Sequence, residues 1–170
     1  MEHAIEQVFE TTAEKLWDTY FFDDEFVQGL YDRLGLQIEA REVQHEGSGP
    51  TLVAHRRLHL RSRRGLPRLP GRLGELVRGS TPVIEHGEFC AARRRYSVRL
   101  ELPGVLRIVD CGGEWTWDDE HGKLRRRWHG RCVSRLPALG GRLARYLLGE
   151  IEASLAESYV FTTRWLREHP

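Results

Sequence analysis

One arginine and one glutamate occupy strand positions that alternation would assign to apolar side chains. Two alternating runs flank the turn residues 47–50, and a hairpin centred on Gly49 places Arg56 opposite Glu42 on the apolar face. A charge that points into a core is costly unless it is paired, and such charges often mark binding sites. We therefore predict that Arg56 holds the anionic head of a ligand while Glu42 orients it. The alternative is a structural cross-strand pair at the end of the sheet, and a one-residue bulge would turn both side chains outward.

Further candidates for ligand contact are two arginines on otherwise apolar faces and several aromatic residues of the predicted strands. The long arginine side chains can line a cavity or can reach water at the neighbouring turns. Aromatic strand residues either form the wall of a cavity or belong to the core. The candidates are Tyr96, Arg107, Trp115, Trp117, Arg126 and Trp128.

The segment from Arg61 to Arg78 combines many arginines with a spaced series of leucines and holds one acid, Glu75. Basic charges beside exposed leucines are what binding to an anionic membrane surface requires, at about 1 kcal/mol per charge near the headgroups. The same composition suits a lid over a cavity. A loop that packs its leucines on the core is the alternative. The membrane or lid residues are Arg61, Arg63, Arg64, Leu66, Leu69, Arg72 and Leu73.

Catalytic chemistry has little support in the sequence. The chain has no Gly-x-Ser-x-Gly, no His-Glu-x-x-His and no glycine-rich phosphate loop. His55 and His59 have a spacing that suits a metal on a helix, but their context alternates, so we expect two neighbours on a strand surface. Cys90, Cys111 and Cys132 form no Cys-x-x-Cys pair, which favours free thiols over a zinc site or a disulfide framework. We expect no catalytic residue, no metal and no cofactor.

Composition indicates a globular chain of one domain, since its 170 residues are 40% hydrophobic and 30% charged with a net charge of +1. Twelve acids and three basic residues occupy positions 1–50, whereas twelve arginines and three acids occupy positions 51–100. The basic middle can face phosphates or pack beside the acidic first third. Because the whole chain is near neutral and shows no recognised motif, we expect no nucleic-acid partner. No apolar stretch suits a membrane span or a signal peptide, so we expect a cytoplasmic protein, whose protein partners the sequence does not identify.

The order of elements follows from the change between helical and strand periods along the chain. Residues 3–10 alternate like a strand, and Thr11 with Glu14 forms a capping-box pattern that predicts the start of a first helix. A second helix is predicted over residues 24–34, and six alternating strands follow it. Pro137 then opens a final helix of about 30 residues. We therefore predict an α+β fold in which a curved antiparallel sheet encloses space beneath one long helix.

This element order, with Val-Phe-Glu-Thr-Thr-Ala at residues 8–13 and Leu-Pro-Ala-Leu-Gly-Gly at residues 136–141, resembles the helix-grip fold of the START and Bet v 1 (SRPBCC) superfamily. The two motifs are similar to those of an uncharacterised bacterial family of that fold. Members of the superfamily hold apolar ligands between a curved sheet and the C-terminal helix. The resemblance implies a single ligand-binding domain over residues 1–170.

A second set of motifs, His-Arg-Arg-Leu at residues 55–58, Gly-Leu-Pro at residues 65–67, Gly74 and Glu85, resembles the PRELI-like lipid carriers. The chain departs from these carriers at residues 20–23, Tyr-Phe-Phe-Asp, where they have a Tyr-Pro-Asn pattern, so no lipid contact carries over there. The carriers also work with a small helical partner in mitochondria, which nothing in this sequence identifies.

The resemblance implies a soluble, non-enzymatic binding or carrier protein that encloses a lipid or another hydrophobic or amphipathic molecule. The alternative is a polyketide cyclase-like or aromatase-like enzyme on the same fold, for which Tyr96 is a candidate acid or base. The carrier interpretation requires space under the last helix. A gap filled by Trp115, Trp128 and their neighbours would exclude it.

Overall fold

The computed structural model describes residues 2–63, 82–102 and 108–170, which form one antiparallel sheet and three α-helices. The elements in chain order are β1 (Glu2–Phe9), α1 (Ala13–Phe22), α2 (Asp24–Arg33), β2 (Leu36–Glu46), β3 (Val53–Ser62), β4 (Pro82–Cys90), β5 (Arg95–Glu101), β6 (Val109–Glu120), β7 (Lys123–Ser134) and α3 (Gly140–Glu168). The predicted α+β order of one strand, two short helices, six strands and one long helix is confirmed. Within these three ranges, no helix is both long enough and apolar enough to cross a membrane.

The seven strands lie in the order β1-β7-β6-β5-β4-β3-β2, so the first two strands of the chain form the two edges of the sheet. Every neighbouring pair is antiparallel. Helices α1 and α2 connect the two edge strands, and α3 packs against β7 and α2. The apolar faces of strands and helices therefore meet between α3 and the sheet.

Each of the two short helices has an N-cap residue whose side chain accepts a hydrogen bond from a backbone amide of the first turn. The Thr12 hydroxyl accepts a hydrogen bond from the Lys15 amide at 3.2 Å, and the Asp23 carboxylate accepts one from the Phe26 amide at 2.9 Å. The predicted cap at Thr11 is therefore wrong by one residue. The tight join of α1 to α2 brings both helices against the same sheet face.

The last helix begins at Gly140 rather than at the predicted Pro137. Ala138 lies between them in the left-handed region, with φ at 60°, and an α-helix of L-residues does not continue through that conformation. From Gly140 the helix runs for 29 residues, which is about 44 Å. Its buried stripe contains two polar residues, Ser158 and Thr162, among apolar ones.

The first hairpin departs from the predicted register at a β-bulge. The pairs nearest the start of β2 follow the prediction, but the pairing shifts by one residue between Ile38 and Ala40. Beyond the shift, Glu42 pairs with Arg57 and is exposed. The predicted pairing of Glu42 with Arg56 is therefore wrong, because the extra residue in β2 inverts the faces of that strand alone. Strand β3 stays regular, so Arg56 keeps its inward orientation and is 5% exposed.

Cys111 and Cys132 lie directly opposite each other in β6 and β7 and form a disulfide. Their Cα atoms are 4.3 Å apart, a separation typical of a non-hydrogen-bonded antiparallel pair. The prediction of free thiols is wrong for these two residues and holds for Cys90. The hairpin register decides the outcome, since it brings the two sulfur atoms together without any Cys-x-x-Cys spacing.

Aromatic side chains fill one end of the space between the helices and the sheet. The Trp17 ring of α1 lies 5.3 Å from the Phe89 ring, 5.4 Å from Tyr96 and 4.9 Å from Trp117. We call this the aromatic end; the β6–β7 turn lies beside it. We call the opposite end, where β3 ends and β4 begins, the aliphatic end. The two ends differ in packing, and this difference positions the site.

Candidate functional site

A cavity of about 250 Å³ lies between α3 and the sheet, next to the aromatic end. Trp115 and Trp128 line this cavity but do not fill it. The space that the carrier interpretation requires is therefore present. Concave, mostly apolar spaces with a few polar groups are where small molecules bind.

The cavity wall changes from aliphatic to polar along its length. Arg56 lies four residues from Leu60 on β3, and Tyr96 lies four residues from Leu100 on β5, each about 13 Å along its strand. The aliphatic end of the wall is formed by Leu36, Leu60, Val83, Leu100, Leu102 and Leu147. A molecule in the cavity would meet apolar side chains at one end and hydrogen-bonding groups at the other.

The first polar group, which we call the Arg56 cluster, consists of Arg56, Tyr31, Glu85 and Tyr96. Arg56 Nη2 donates to Glu85 Oε1 at 2.7 Å and to the Tyr31 hydroxyl at 3.2 Å. The Tyr31 hydroxyl in turn donates to Glu85 Oε2 at 3.1 Å. The side chains of Arg56 and Glu85 are 3% and 13% exposed, so they form a buried ion pair. The charge of Arg56 is therefore already balanced by a carboxylate.

Burial controls the protonation of this cluster. It raises the pKa of Tyr31 well above the usual value, against the opposing charge of Arg56. Burial likewise raises the pKa of Tyr96. Burial lowers the pKa of Arg56, but Tyr31, Tyr96 and Glu85 raise it more, and the net shift is upward. The cluster thus presents two neutral phenols beside a charged guanidinium.

Three buried polar atoms on the cavity wall have no hydrogen-bond partner among the described residues: Arg56 Nε, Tyr96 Oη and Trp128 Nε1. The Tyr96 ring lies across Gly87, where a Cβ atom would come within 2.5 Å of Oη. Glycine at this position is what leaves room for the phenol. A buried polar group without a partner costs about 1–3 kcal/mol, so a polar group of a ligand would stabilise this wall.

The second polar group, which we call the Arg126 cluster, consists of Arg126, Gln7, Tyr20 and Ser158. Arg126 is 1% exposed and lies behind the cavity wall. Its Nε donates to Gln7 Oε1 at 2.9 Å, and its Nη2 donates to the Tyr20 hydroxyl at 3.2 Å. The guanidinium also lies over four aromatic rings, those of Phe9, Trp17, Tyr20 and Trp115.

Tyr20 joins Arg126 to the cavity. Its hydroxyl lies 2.9 Å from Ser158 Oγ and 3.5 Å from Thr162 Oγ1, and both Tyr20 and Ser158 line the cavity. Burial raises the pKa of Tyr20, but the charge of Arg126 and the hydrogen bonds lower it more, so the net shift is downward. The Tyr20 hydroxyl therefore connects the guanidinium of Arg126 to a hydroxyl group on the cavity wall.

The predicted contact residues divide into four groups. Four of them line the cavity: Arg56, Tyr96, Trp115 and Trp128. Arg126 lies one layer behind the wall, and Trp117 belongs to the aromatic end. Glu42 is exposed and does not reach the cavity, because of the bulge in β2. Arg107 lies outside the described residues.

The segment predicted to contact a membrane or to form a lid is described only at its start. Arg61 forms an ion pair with Glu39, and Arg63 forms one with Asp32 at 3.0 Å. These pairs are exposed, where an ion pair contributes little to stability. The other predicted residues lie outside the described residues: Arg64, Leu66, Leu69, Arg72 and Leu73.

Five residues of the two clusters were not predicted from strand and helix patterns: Gln7, Tyr20, Tyr31, Glu85 and Ser158. Glu85 alternates with apolar residues on β4 in the same way that Arg56 does on β3, so the same reasoning could have found it. The two tyrosines and the serine lie at positions that the helical period assigns to the buried faces of their helices, so the pattern does not distinguish them from core residues. Only the packing of α1, α2 and α3 against the sheet brings their hydroxyl groups to the cavity.

The sequence matches one protein family. Residues 4–166 match the family described as a protein of unknown function, DUF2505. No curated protein matches the chain.

Solved structures with the same architecture cover nearly the whole chain. The Zhui aromatase/cyclase from Streptomyces sp. R1128 is 16% identical, with a TM-score of 0.59 over 96% of this chain and 91% of that chain. A START superfamily protein from Mycobacterium smegmatis is 14% identical, with a TM-score of 0.55 over 97% and 98%. Ara h 8.0201 is 12% identical, with a TM-score of 0.55 over 95% and 97%. These similarities show the helix-grip fold of the START and Bet v 1 superfamily.

Proposed function

We propose that this chain, which belongs to the DUF2505 family of proteins of unknown function, binds a lipid or another amphipathic molecule between α3 and the sheet. The observation that carries the proposal is the cavity, which is aliphatic at one end and hydrogen-bonding at the other. The helix-grip fold agrees with this function, since the sheet and the helix hold the space open between them. A carrier role for the bound molecule is part of the proposal.

The size of the cavity favours a small ligand. Its volume of about 250 Å³ lies just under the roughly 300–1,000 Å³ that is common for drug-sized ligands. One short acyl chain or a compact ring system suits this space better than a phospholipid with two chains. Each buried CH₂ group of such a chain would contribute about 0.8 kcal/mol.

Native mass spectrometry tests this proposal. We expect the purified protein to carry one small amphipathic molecule, or to take one up from lipid vesicles, and to show it as a discrete mass adduct. Ser154 lines the cavity, so Ser154→Phe should abolish the adduct by occupying the space. Ala153→Phe adds the same ring to the exposed side of α3 and should keep the adduct. An unaltered protein that carries nothing and extracts nothing would contradict the proposal.

An enzyme on the same scaffold is the second candidate. The observation that favours it is the Arg56 cluster, which places a carboxylate and two phenols on the cavity wall. One structural neighbour is an aromatase/cyclase by its description. An enzyme would convert the molecule recovered by mass spectrometry into a product, and Glu85→Gln or Tyr96→Phe would stop the conversion. Recovery of that molecule unchanged after prolonged incubation would exclude this candidate.

Contact of the segment 61–78 with anionic membranes and a cytoplasmic location are also proposals. Flotation with anionic and with neutral vesicles tests the membrane contact. We expect binding to anionic vesicles that weakens as salt is added, because the segment is rich in arginine. Equal binding to both kinds of vesicle would exclude electrostatic docking.

A further inference from the structure

We propose that the ligand is an acid, and that its carboxylate accepts a hydrogen bond from Ser158, whose proton is directed into the cavity by Arg126 through Tyr20. This inference rests on the proposed function and names the chemical class of the ligand at the same site. It places the head group at the polar part of the cavity and the apolar part of the ligand toward the aliphatic end.

The first step of the inference is the unbalanced charge of Arg126. No carboxylate among the described residues lies within ion-pair distance of its guanidinium. Its Nη1 is buried and has no hydrogen-bond partner in the same part of the chain. The aromatic rings around it, with the Trp115 centroid at 4.1 Å, offset part of the desolvation. A buried cation without a counterion still favours a nearby anion strongly.

The second step is the direction of the hydrogen bonds. Arginine can only donate, so the Tyr20 oxygen accepts from Arg126 Nη2. The positive charge then favours donation of the Tyr20 proton away from Arg126, to Ser158 Oγ at 2.9 Å. Ser158 Oγ accepts that hydrogen bond, and its own hydroxyl hydrogen can be donated to another acceptor. Because Ser158 lines the cavity, the last donor in this series of hydrogen bonds borders the space where a ligand would lie.

The third step is the choice between an anionic and a neutral head group. The Arg56 cluster carries its own carboxylate, Glu85, and therefore offers no unbalanced charge to an anion. The Arg126 cluster has the opposite property, since its only members besides the cation are neutral. An acceptor with a negative charge gains both the Ser158 hydrogen bond and the field of Arg126. A neutral alcohol gains only the hydrogen bond.

The test compares decanoic acid with decanol, which have the same chain length, by displacement of the uncharged dye Nile red at neutral pH. We expect the acid to bind about tenfold more tightly than the alcohol, equivalent to ~1.4 kcal/mol. Ser158→Ala and Tyr20→Phe should weaken the acid about tenfold and the alcohol only about twofold, because a hydrogen bond to a charged acceptor is the stronger one. The preference should therefore fall about fivefold. Tyr159→Phe removes a hydroxyl of α3 that donates to the Val8 carbonyl and does not line the cavity, so it should keep the preference.

Three results would overturn the inference. If the unaltered protein binds the acid and the alcohol with equal affinity, the inference of an anionic head group is wrong, while the proposed function still stands. This comparison needs no variant. If the preference is undiminished in both Ser158→Ala and Tyr20→Phe, the hydrogen bonds from Arg126 through Tyr20 to Ser158 do not recognise the head group. Failure of both compounds to displace the dye in the unaltered protein, together with no mass adduct, removes the proposed function itself.

Discussion

The ion pair of Arg56 and Glu85 allows a quantitative test of how the cavity wall is held together. The two side chains are 3% and 13% exposed and 2.7 Å apart. Glu85→Gln keeps the shape of the side chain but leaves the guanidinium buried without a carboxylate. Removing one partner of a buried pair costs about 3–5 kcal/mol. We expect about 3 kcal/mol, because Glu85 borders the cavity and Tyr31 still accepts from Arg56.

The assay is urea unfolding followed by tryptophan fluorescence, with thermal unfolding as a second measurement. A loss of ~3 kcal/mol corresponds to a fall in Tm of about 6–12 °C for a chain of this size. The dependence of the unfolding free energy on urea should keep its slope, since the surface exposed on unfolding does not change. Glu88→Gln, on the exposed face of the same strand, is the matched control and should change stability by less than about 0.5 kcal/mol.

The pair of substitutions Arg56→Met and Glu85→Leu separates the ion pair from the packing around it. Replacing both charges with apolar side chains of similar size is often neutral or stabilising, so the double variant should be more stable than Glu85→Gln alone. A Glu85→Gln protein as stable as the Glu88→Gln control would refute the reasoning. It would mean that the guanidinium is not held in a dry environment by its carboxylate.

Three further predictions follow from the same wall and from the sheet. Gly87→Ala places a Cβ atom 2.5 Å from the Tyr96 hydroxyl oxygen, so it should lower the free energy of unfolding by about 1–3 kcal/mol; an unchanged urea midpoint would contradict this. Because burial raises the pKa of Tyr31 and of Tyr96, the folded protein holds these protons longer than the unfolded chain does. Their contribution to stability is therefore present below about pH 10 and is lost at higher pH, so Tm should fall above that pH and fall less steeply in Tyr31→Phe; equal slopes would contradict the assignment. Thiol titration of the denatured, unreduced protein should find only Cys90 reactive and should find all three cysteines after reduction; three thiols without reduction would exclude the disulfide.

The element order could be predicted from the sequence because the change between periods of 3.6 and 2 is clear along the chain. The pairing of the first hairpin before the bulge was also predicted correctly, by counting residues outward from the turn on both strands. The bulge between Ile38 and Ala40 could not be predicted, since nothing in that alternating run marks an extra residue. Because of the bulge, the Glu42 side chain is exposed and does not line the cavity. Arg56 instead forms its ion pair with Glu85 on the neighbouring strand β4.

The disulfide could have been predicted with the reasoning used for the first hairpin. Cys111 and Cys132 lie at equal distances from the turn at His121 and Gly122, so a regular hairpin places them face to face. Spacing rules for isolated motifs missed this pairing, because a cross-strand pair has no fixed separation in the sequence.

The Arg126 cluster depends on packing that no local pattern specifies. Its members come from β1, α1, β7 and α3. Alternation on β7 identified Arg126 as a charge on an apolar face. That pattern does not reveal that Tyr20 lies between this charge and the cavity, or that Ser158 Oγ lies within hydrogen-bond distance of the Tyr20 hydroxyl. These relations require the crossing of α1 and α3 over the sheet.

A crystal structure of the protein with a medium-chain fatty acid that carries bromine at its tail tests the central claim most directly. The anomalous signal locates the tail independently of the protein density. We predict one bromine peak inside the cavity, among Leu36, Leu60 and Leu100, with the carboxylate next to Ser158. Bromine found only on the outer surface, with the cavity unchanged, would contradict the account.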